Sequence, residues 1–425
     1  MKKVLTIFSI IVISLFVLSL YGWMVKQIAK GEKKFGVFTE PVKFMYNFPD
    51  IFKQSVEEVK SLPKTFIPTP KDFNPINNLE EDLLVLTSYT NGRKSRAVAL
   101  RNLKNDSILK EWTFKNARKE NHRIVNPILH PDGSLIYNYY YQPSGLKKID
   151  STGNIVWTQK NLLFHHGMNL NKDGDIWAST KIPGWKATGM YILGGKKIFY
   201  IDYTIAKIDH KTGEILFHKS ISEILTENNL GNYLLKSAVV KDPVHLNDVQ
   251  PALKTTKYFK EDDVFISLRN MSIVLHYRPS TNELIQLIEG PFINQHDVDF
   301  LNDSTLVFFN NNTPVDIPLK GATPHKKKER VTFSGKFYSN IIKYNLKDQT
   351  FSAIGDSLFI ENDIYTKNEG LMEFIDASTY FVEEQNQGLL WVIDDDKVIY
   401  KNVFKSQHKG HHHLPNWTRI IKHYD

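Results

Sequence analysis

From about Leu79 to Tyr400 the chain alternates short apolar runs with turn signals, among them LLVLTSY, RAVALRN, SLIYNYYY, VFISLRN, TLVFFNN and LLWVIDDDKVIY. Runs of this length, rich in Val, Ile, Leu, Tyr and Phe, read as strands. Their spacing predicts an all-β sandwich, barrel or propeller. Internal repeats decide among these. His130–Ile136 (HPDGSLI) and Asn171–Trp177 (NKDGDIW) share an x-x-D-G-x-apolar turn, and KIDSTGNI from Lys148 returns as KIDHKTGEI from Lys207. A weaker version, YNLKDQTF, begins at Tyr344. Units of roughly 40–45 residues with several strands each are the propeller signature, and the stretch has room for about six to eight. The expected fold is therefore an all-β β-propeller over residues 79–425, with six blades as the preferred count.

Upstream the pattern is helical. Val4 to Val25 is an uncharged apolar run behind Met1-Lys2-Lys3, and about 20 such residues cross a bilayer's hydrocarbon core. Ser19-Leu20-Tyr21-Gly22-Trp23 offers no small-x-small cleavage site, and Tyr21 and Trp23 suit the membrane interface. Residues 1–30 thus read as an uncleaved transmembrane signal anchor in preference to a cleaved signal. Lys26, Lys30, Lys33 and Lys34 outnumber Lys2 and Lys3, which leaves the orientation open. Residues 31–78 read as a juxtamembrane linker with one short helix, Ile51–Leu62, capped by Asp50 and stopped by Pro63.

Composition narrows the chemistry. The 425 residues are 41% hydrophobic and 24% charged, which are globular values, and the net charge of +8 favours anionic ligands or surfaces. The one dense basic run, His325–Arg330, lies between strand-like segments and reads as a solvated loop, so nucleic acid is not an expected partner. The chain has no cysteine, which excludes disulfides, thiolate metal sites and cysteine nucleophiles. It has no phosphate-binding loop, dinucleotide fingerprint, G-x-S-x-G elbow or H-E-x-x-H. No cofactor is expected.

The candidate chemistry gathers between Asp242 and Asn312. FHHGMNLNKDGDIW repeats the layout of NQHDVDFLNDSTLV, aligning His166 with His296. Histidines at equivalent places in a repeated β unit suggest that several strands deliver imidazoles to one mouth of a propeller channel. His245 sits in His-x-Asn beside Asp242 and Asp248, and Arg269 ends the apolar run Val264–Leu268, an odd place for a cation without an anionic partner. The chemical sense is an anion pocket, with Arg offering a planar fork, Asn a neutral donor, and imidazole a donor, acceptor or nucleophile. Three histidines with Asp297 also suit a zinc or iron site, but Arg269 among them disfavours a metal. His210, His218, His276 and His423 read as structural. So do His408 and His411–His413, near the chain end, with weak metal affinity at most.

These pieces together resemble the bacterial arylsulfotransferase family. They are D-P-x-H-x-N at Asp242–Asn247, S-x-R at Ser267–Arg269, Q-H-D at Gln295–Asp297 followed by Leu306–Asn310, and His165-His166 ahead of the Asp-Gly turn at Gly174. The resemblance covers most of 79–400 in order and is dense only in 242–310. It implies an extracytoplasmic β-propeller enzyme that moves a sulfuryl group from an aryl sulfate to a phenolic or other hydroxyl acceptor, without a nucleotide donor. It further implies that His296 is the nucleophile and forms a sulfohistidine. His166 and His245 would hold or polarise the sulfuryl oxygens, Arg269 would neutralise charge, and Asn247, His165 and Asn310 would contact substrate. The departures are the retained anchor, the absent cysteine, a short Arg269–His296 spacing, and Gly167 where an acidic residue usually follows the second histidine. Two other readings stand beside it: a membrane-anchored propeller binding an anionic or carbohydrate ligand without turnover, and a lyase or hydrolase using His and Arg.

Overall fold

The computed structural model describes residues 2–29, 35–39, 41–45, 48–49, 62–115, 122–140, 144–183, 188–313 and 337–422. The linker helix expected at Ile51–Leu62, the basic run His325–Arg330 and His423 fall outside the described residues, apart from Leu62 itself. The chain divides into two compact units, Met1–Pro63 and Lys64–Asp425. The first contains α1 (Lys2–Ala29), whose apolar stretch Leu5–Gln27 is long enough to cross a membrane and, among the described residues, has no buried side chain.

The second unit is mostly β, as the strand pattern predicts, with two short helices, Ile221–Glu227 and Asp356–Glu361. Six antiparallel sheets follow one another, each a meander of four strands, and the sixth carries Ile76–Asn77 as a fifth strand. Sheets two to six open on a leading edge strand: Ile128–Leu129, Leu163–Leu170, Leu246–Pro251, Val298–Asn302 and Leu371–Phe374. The first sheet takes its leading strand from the far end of the chain. Arg419–Ile420 pairs with Leu86 and Val85, next to Ser95–Asn102 and Ser107–Phe114. The expected Asp-Gly turns join leading and second strands at Gly133 and Gly174, where φ of +77° and +87° needs glycine.

The second and third strands of each sheet bury both faces, so they read as continuous apolar runs such as Val264–Leu268. Alternate residues then enter different cores. Val264, Ile266 and Leu268 pack with Trp177 and Ile205 of the third sheet, while Phe265 packs with Leu306, Phe308 and Ile342 of the fifth. The same alternation recurs round the unit. Val307 and Phe309 meet Val382 and Trp391, and Phe381 and Val392 meet Val85 and Ile420. Leu86 and Leu100 meet Leu135 and Ile149, and Ile136 and Leu146 meet Met168 and Ile176. Among the described residues, six of the apolar clusters each join two of these sheets, and the cluster of the sixth sheet includes Val85 and Ile420 of the first. All six leading strands, or the residues just before them, line one cavity of about 390 Å³.

His411–His413 is a strand of a small separate sheet with Phe66–Pro68 and Phe404–Lys405. His412 and His413 are buried there and bonded to Gln387 O and Thr90 O, a structural use of that tract.

Candidate functional site

The N-terminal ends of the leading strands carry the predicted histidines. Each is aimed by a break in the ladder. The pairing of Leu163–Leu170 slips between Phe164 and Met168, and His166 sits there at φ +53°. The pairing of Leu246–Pro251 slips after Leu246, and His245 just ahead of it has φ +45°. Left-handed backbone at a non-glycine residue costs on the order of 1–3 kcal/mol and persists where surrounding structure over-determines it. His296 precedes Val298–Asn302 and is held by its own N–H on Phe309 O at 2.9 Å.

These strands bring the rings together. His165 and His166 lie 4.0 Å apart by ring centroid, and His245 is 5.5 and 5.4 Å from them. His296 is 5.9 Å from His166. Trp417, just before the closing strand, stacks on His166 at 5.7 Å and holds φ +58°. The Tyr140 hydroxyl lies 3.2 and 3.3 Å from Nε2 of His165 and His166. Tyr203 packs 5.2 Å from His165 and 5.9 Å from His245.

Hydrogen bonds give the rings different characters. His245 Nδ1–H donates to Asp242 Oδ2 at 2.7 Å. Burial alone would raise the Asp242 carboxyl, but that bond and the charges of His245 and Lys181 hold it below its ordinary value. His296 Nδ1–H donates to Asn311 Oδ1, and Asn311 Nδ2 is anchored on Thr366 O at 2.8 Å and Glu369 O at 2.6 Å. This sets the tautomer. The lone pair is on Nε2, which accepts the Glu369 N–H at 3.0 Å. Burial pushes His165, His166 and His296 well below the usual histidine range, reinforced by Lys181 and neighbouring rings at the first two and by Arg269 at His296. All three are therefore neutral near pH 7. Among the described residues, His166 Nδ1 and Trp417 Nε1 are buried without a hydrogen-bond partner, as a ligand site leaves them.

Arg269 lies one residue beyond its strand, in the turn Arg269–Met271, and donates to Asn270 Oδ1 at 2.8 Å and Asn368 Oδ1 at 3.0 Å. Its strand runs antiparallel to Leu246–Pro251, so the guanidinium returns to the histidine end. Asn247 is fully buried and donates to Gln295 O at 3.1 Å, tying the His245 and His296 segments together. Asn310 is bonded elsewhere, accepting from the N–H groups of Ile293 and Asn312 and donating to Asn340. The amide that meets His296 belongs to Asn311, one position on. Nothing in the sequence reading singled out Asn311, Glu369, Trp417, Tyr140, Tyr203, Lys181 or Arg123. Their shared signal is position, since Arg123, Glu369 and Trp417 precede leading strands as the histidines do. Arg123 pairs with Glu369 and with Asn416 Oδ1. Lys181 ends a second strand, stands 4.3 Å over the Tyr203 ring, and is lowered by burial to about 8.

Ring nitrogens of His165, His166 and His245 all lie within 4.8 Å of one another and could converge on a metal ion. The surrounding cations Lys181 and Arg269 oppose that use and suit an anion. Neutral imidazoles, one with its Nε2 lone pair directed by Asn311, two cations and neighbouring aromatic rings form a cluster whose chemistry suits an anionic group.

A solved structure of a protein of unknown function from Bacteroides caccae aligns with TM-score 0.51 at 12% identity, covering 81% of this chain and 100% of that one. An inactive virginiamycin B lyase from Staphylococcus aureus, solved with quinupristin, aligns with TM-score 0.38 at 8% identity over 79% of this chain and 89% of that one. No curated protein matches. A sequence profile described as "Arylsulfotransferase (ASST)" matches residues 127–405, which span five of the six leading strands and every predicted histidine of the cluster. The chain belongs to the arylsulfotransferase family, a family of sulfuryl-transferring enzymes.

Proposed function

We propose that the Lys64–Asp425 unit is a six-bladed β-propeller that transfers a sulfuryl group from an aryl sulfate to a hydroxyl acceptor through sulfohistidine at His296. The observation that carries this reading is the Asn311–His296 bond, which leaves Nε2 as the nucleophilic nitrogen of a buried, neutral imidazole. In the first half-reaction the N–S bond forms at Nε2 as the S–O bond to the aryl oxygen breaks, and the phenolate leaves. Sulfur takes the place now held by the Glu369 N–H, so the Thr366–Gly370 segment yields as the donor enters. His166 and Arg269 meet the equatorial oxygens, where preorganised donors stabilise developing charge, and His245, its Nδ1–H on Asp242, keeps its Nε2 lone pair for the acceptor. In the second half-reaction the acceptor oxygen attacks sulfur, the N–S bond breaks, and the hydroxyl proton passes to the His245–Asp242 pair. Two half-reactions give ping-pong kinetics.

α1 is the retained anchor in this reading, and the enzyme domain is extracytoplasmic. The test is intact-mass measurement of the full chain in detergent after brief exposure to 4-nitrophenyl sulfate, beside His296→Ala. One added sulfuryl mass on wild type alone supports the proposal, and its persistence in EDTA separates it from metal-assisted hydrolysis. Nitrophenol release without an adduct on wild type would sink the covalent route.

A further inference from the structure

The third sheet carries an insertion that the catalytic reading leaves unused. Between its second strand, Ile176–Lys181, and its third, Thr204–Ile208, stands a separate two-stranded hairpin, Gly189–Leu193 with Lys196–Tyr200. Its turn is Gly194-Gly195 with φ +56° and +77°, the two positive values a tight two-residue hairpin turn requires. Register sorts its side chains. Tyr191, Ile198 and Tyr200 share one face, and Tyr191 and Tyr200 pack with the core between the third and fourth sheets. Met190, Ile192, Phe199 and Lys197 share the other face, and there the apolar side chains stand 46%, 64% and 57% exposed. Leu193 at the tip is 53% exposed, beside exposed Lys196 and Lys197. Three large apolar residues side by side on the outward face of a protruding hairpin, with two lysines at its end, are not the surface of a hairpin that faces only water.

The hairpin rises from the catalytic mouth. Lys181 closes the strand before it and Tyr203 precedes the strand after it, and these two residues touch each other and flank His165 and His245.

We propose that this hairpin docks into the interface of the bilayer that holds α1, with Met190, Ile192 and Phe199 among the acyl–headgroup boundary and Lys196 and Lys197 on anionic headgroups, and that the catalytic mouth so placed takes acceptors from the lipid phase. The partner follows from the chain itself. Leu5–Gln27 is a membrane-length apolar helix, and the 38 residues from there to Phe66 reach at most about 135 Å, which keeps the body within that distance of the surface. A tether makes the second contact intramolecular, so a small amphipathic hairpin suffices. Apolar side chains beside lysines are the interfacial composition, with aromatic and aliphatic groups entering the boundary and lysines pairing with lipid phosphates. The inference rests on α1 being retained, and its lipid-phase acceptor rests on sulfuryl transfer, but the docking itself does not need the chemistry.

The absence of cysteine allows single labels. Full-length chain with Ile192→Cys, Phe199→Cys or, as control, the exposed outer-strand Ile155→Cys is labelled with a polarity-sensitive fluorophore. It is then reconstituted in phosphatidylcholine vesicles with and without phosphatidylglycerol, and intact mass confirms that the N-terminus is present. The labels at 192 and 199 are expected to shift to the blue and to be quenched by headgroup-proximal spin-labelled lipid, while the label at 155 is not. Lys196→Gln and Lys197→Gln should each weaken this by about fivefold in anionic vesicles. Equal quenching at all three sites overturns the proposal. So does a blue shift without lipid quenching, which marks a protein partner on this face. In the same vesicles, Ile192→Ser/Phe199→Ser should lower turnover of a long-chain alkylphenol while sparing a water-soluble phenol. Equal loss on both refutes the lipid-phase acceptor. Loss of all transfer with quenching intact refutes only the sulfotransferase reading.

Discussion

At the scale of single residues, the chemistry depends on which nitrogen of His296 carries its proton. Asn311 accepts from Nδ1 through a neutral amide, so it selects the tautomer without adding charge, and burial with Arg269 keeps the ring well below the usual histidine range. Wild type should therefore show donor kcat/KM that is flat from pH 6 to 7, below the range in which Lys181 gives up its proton. Asn311→Asp places a carboxylate on Nδ1–H, which raises the folded pKa by about one to three units and moves the acid limb of that profile up toward neutrality. Asn311→Ala leaves the tautomer unselected and should slow adduct formation on the order of 10²-fold. A pH profile unchanged in Asn311→Asp, measured on the first half-reaction, would show that Asn311 only supports the fold. The histidines themselves were legible in the sequence, because His166 and His296 recur in register within a repeated unit. Asn311 was not. It follows Asn310 in an Asn-Asn-Asn run, and a one-residue step along an extended chain changes the face a side chain presents, which composition does not reveal.

At the scale of elements, the leading strands work because they approach closely where they turn. Gly167 shows the constraint. A Cβ there would lie 2.2 Å from Asp248 Oδ1 and 3.0 Å from Asn247 O on the next leading strand. Glycine at this position thus has a steric reason, since the neighbouring strand's Asp248 carboxylate occupies the space a side chain would need. Gly167→Ala should cost about 1–3 kcal/mol of stability and displace His166 and His245 together. The expected outcome is a lower urea midpoint with an unchanged m-value and a sulfuryl-transfer rate reduced at least tenfold. A neutral substitution by both measures would mean that the two strands are free to separate. Strand existence was legible here because both-faces burial writes continuous apolar runs, and the Asp-Gly turns mark the hairpins. The bulges at His166 and His245 were not, because a register slip is set by the partner strand and leaves no periodic trace.

At the scale of the molecule, the last ten described residues both close the ring of sheets and complete the pocket. Arg419–Ile420 pairs with Val85 and Leu86, Ile420 enters the core between the sixth and first sheets, and Trp417 stacks on His166. No local signal announces a pairing between strands more than 300 residues apart, so the run of short strands was readable and this pairing was not. The same closed packing buries carboxyls, and one of them gives the unit a pH dependence that can be signed. Glu384 ends the second strand of the sixth sheet at 1% exposure, with Trp391 Nε1–H on its Oε2 at 3.4 Å, and burial pushes it up to about 8. In the unfolded chain the same group titrates near 4.3. Between those values the folded protein holds a proton that the unfolded chain has lost, so stability is fully present below the unfolded pKa and falls as pH rises, by up to about 1.4 kcal/mol per pH unit, until it levels off above the folded value. Glutamine keeps the shape of the protonated acid and does not titrate. Glu384→Gln should therefore match wild type near pH 4 and exceed it increasingly at pH 6.5 and 8, read as urea midpoints at each pH. Parallel wild-type and variant curves across that range would mean that the carboxyl is already ionised in the folded state.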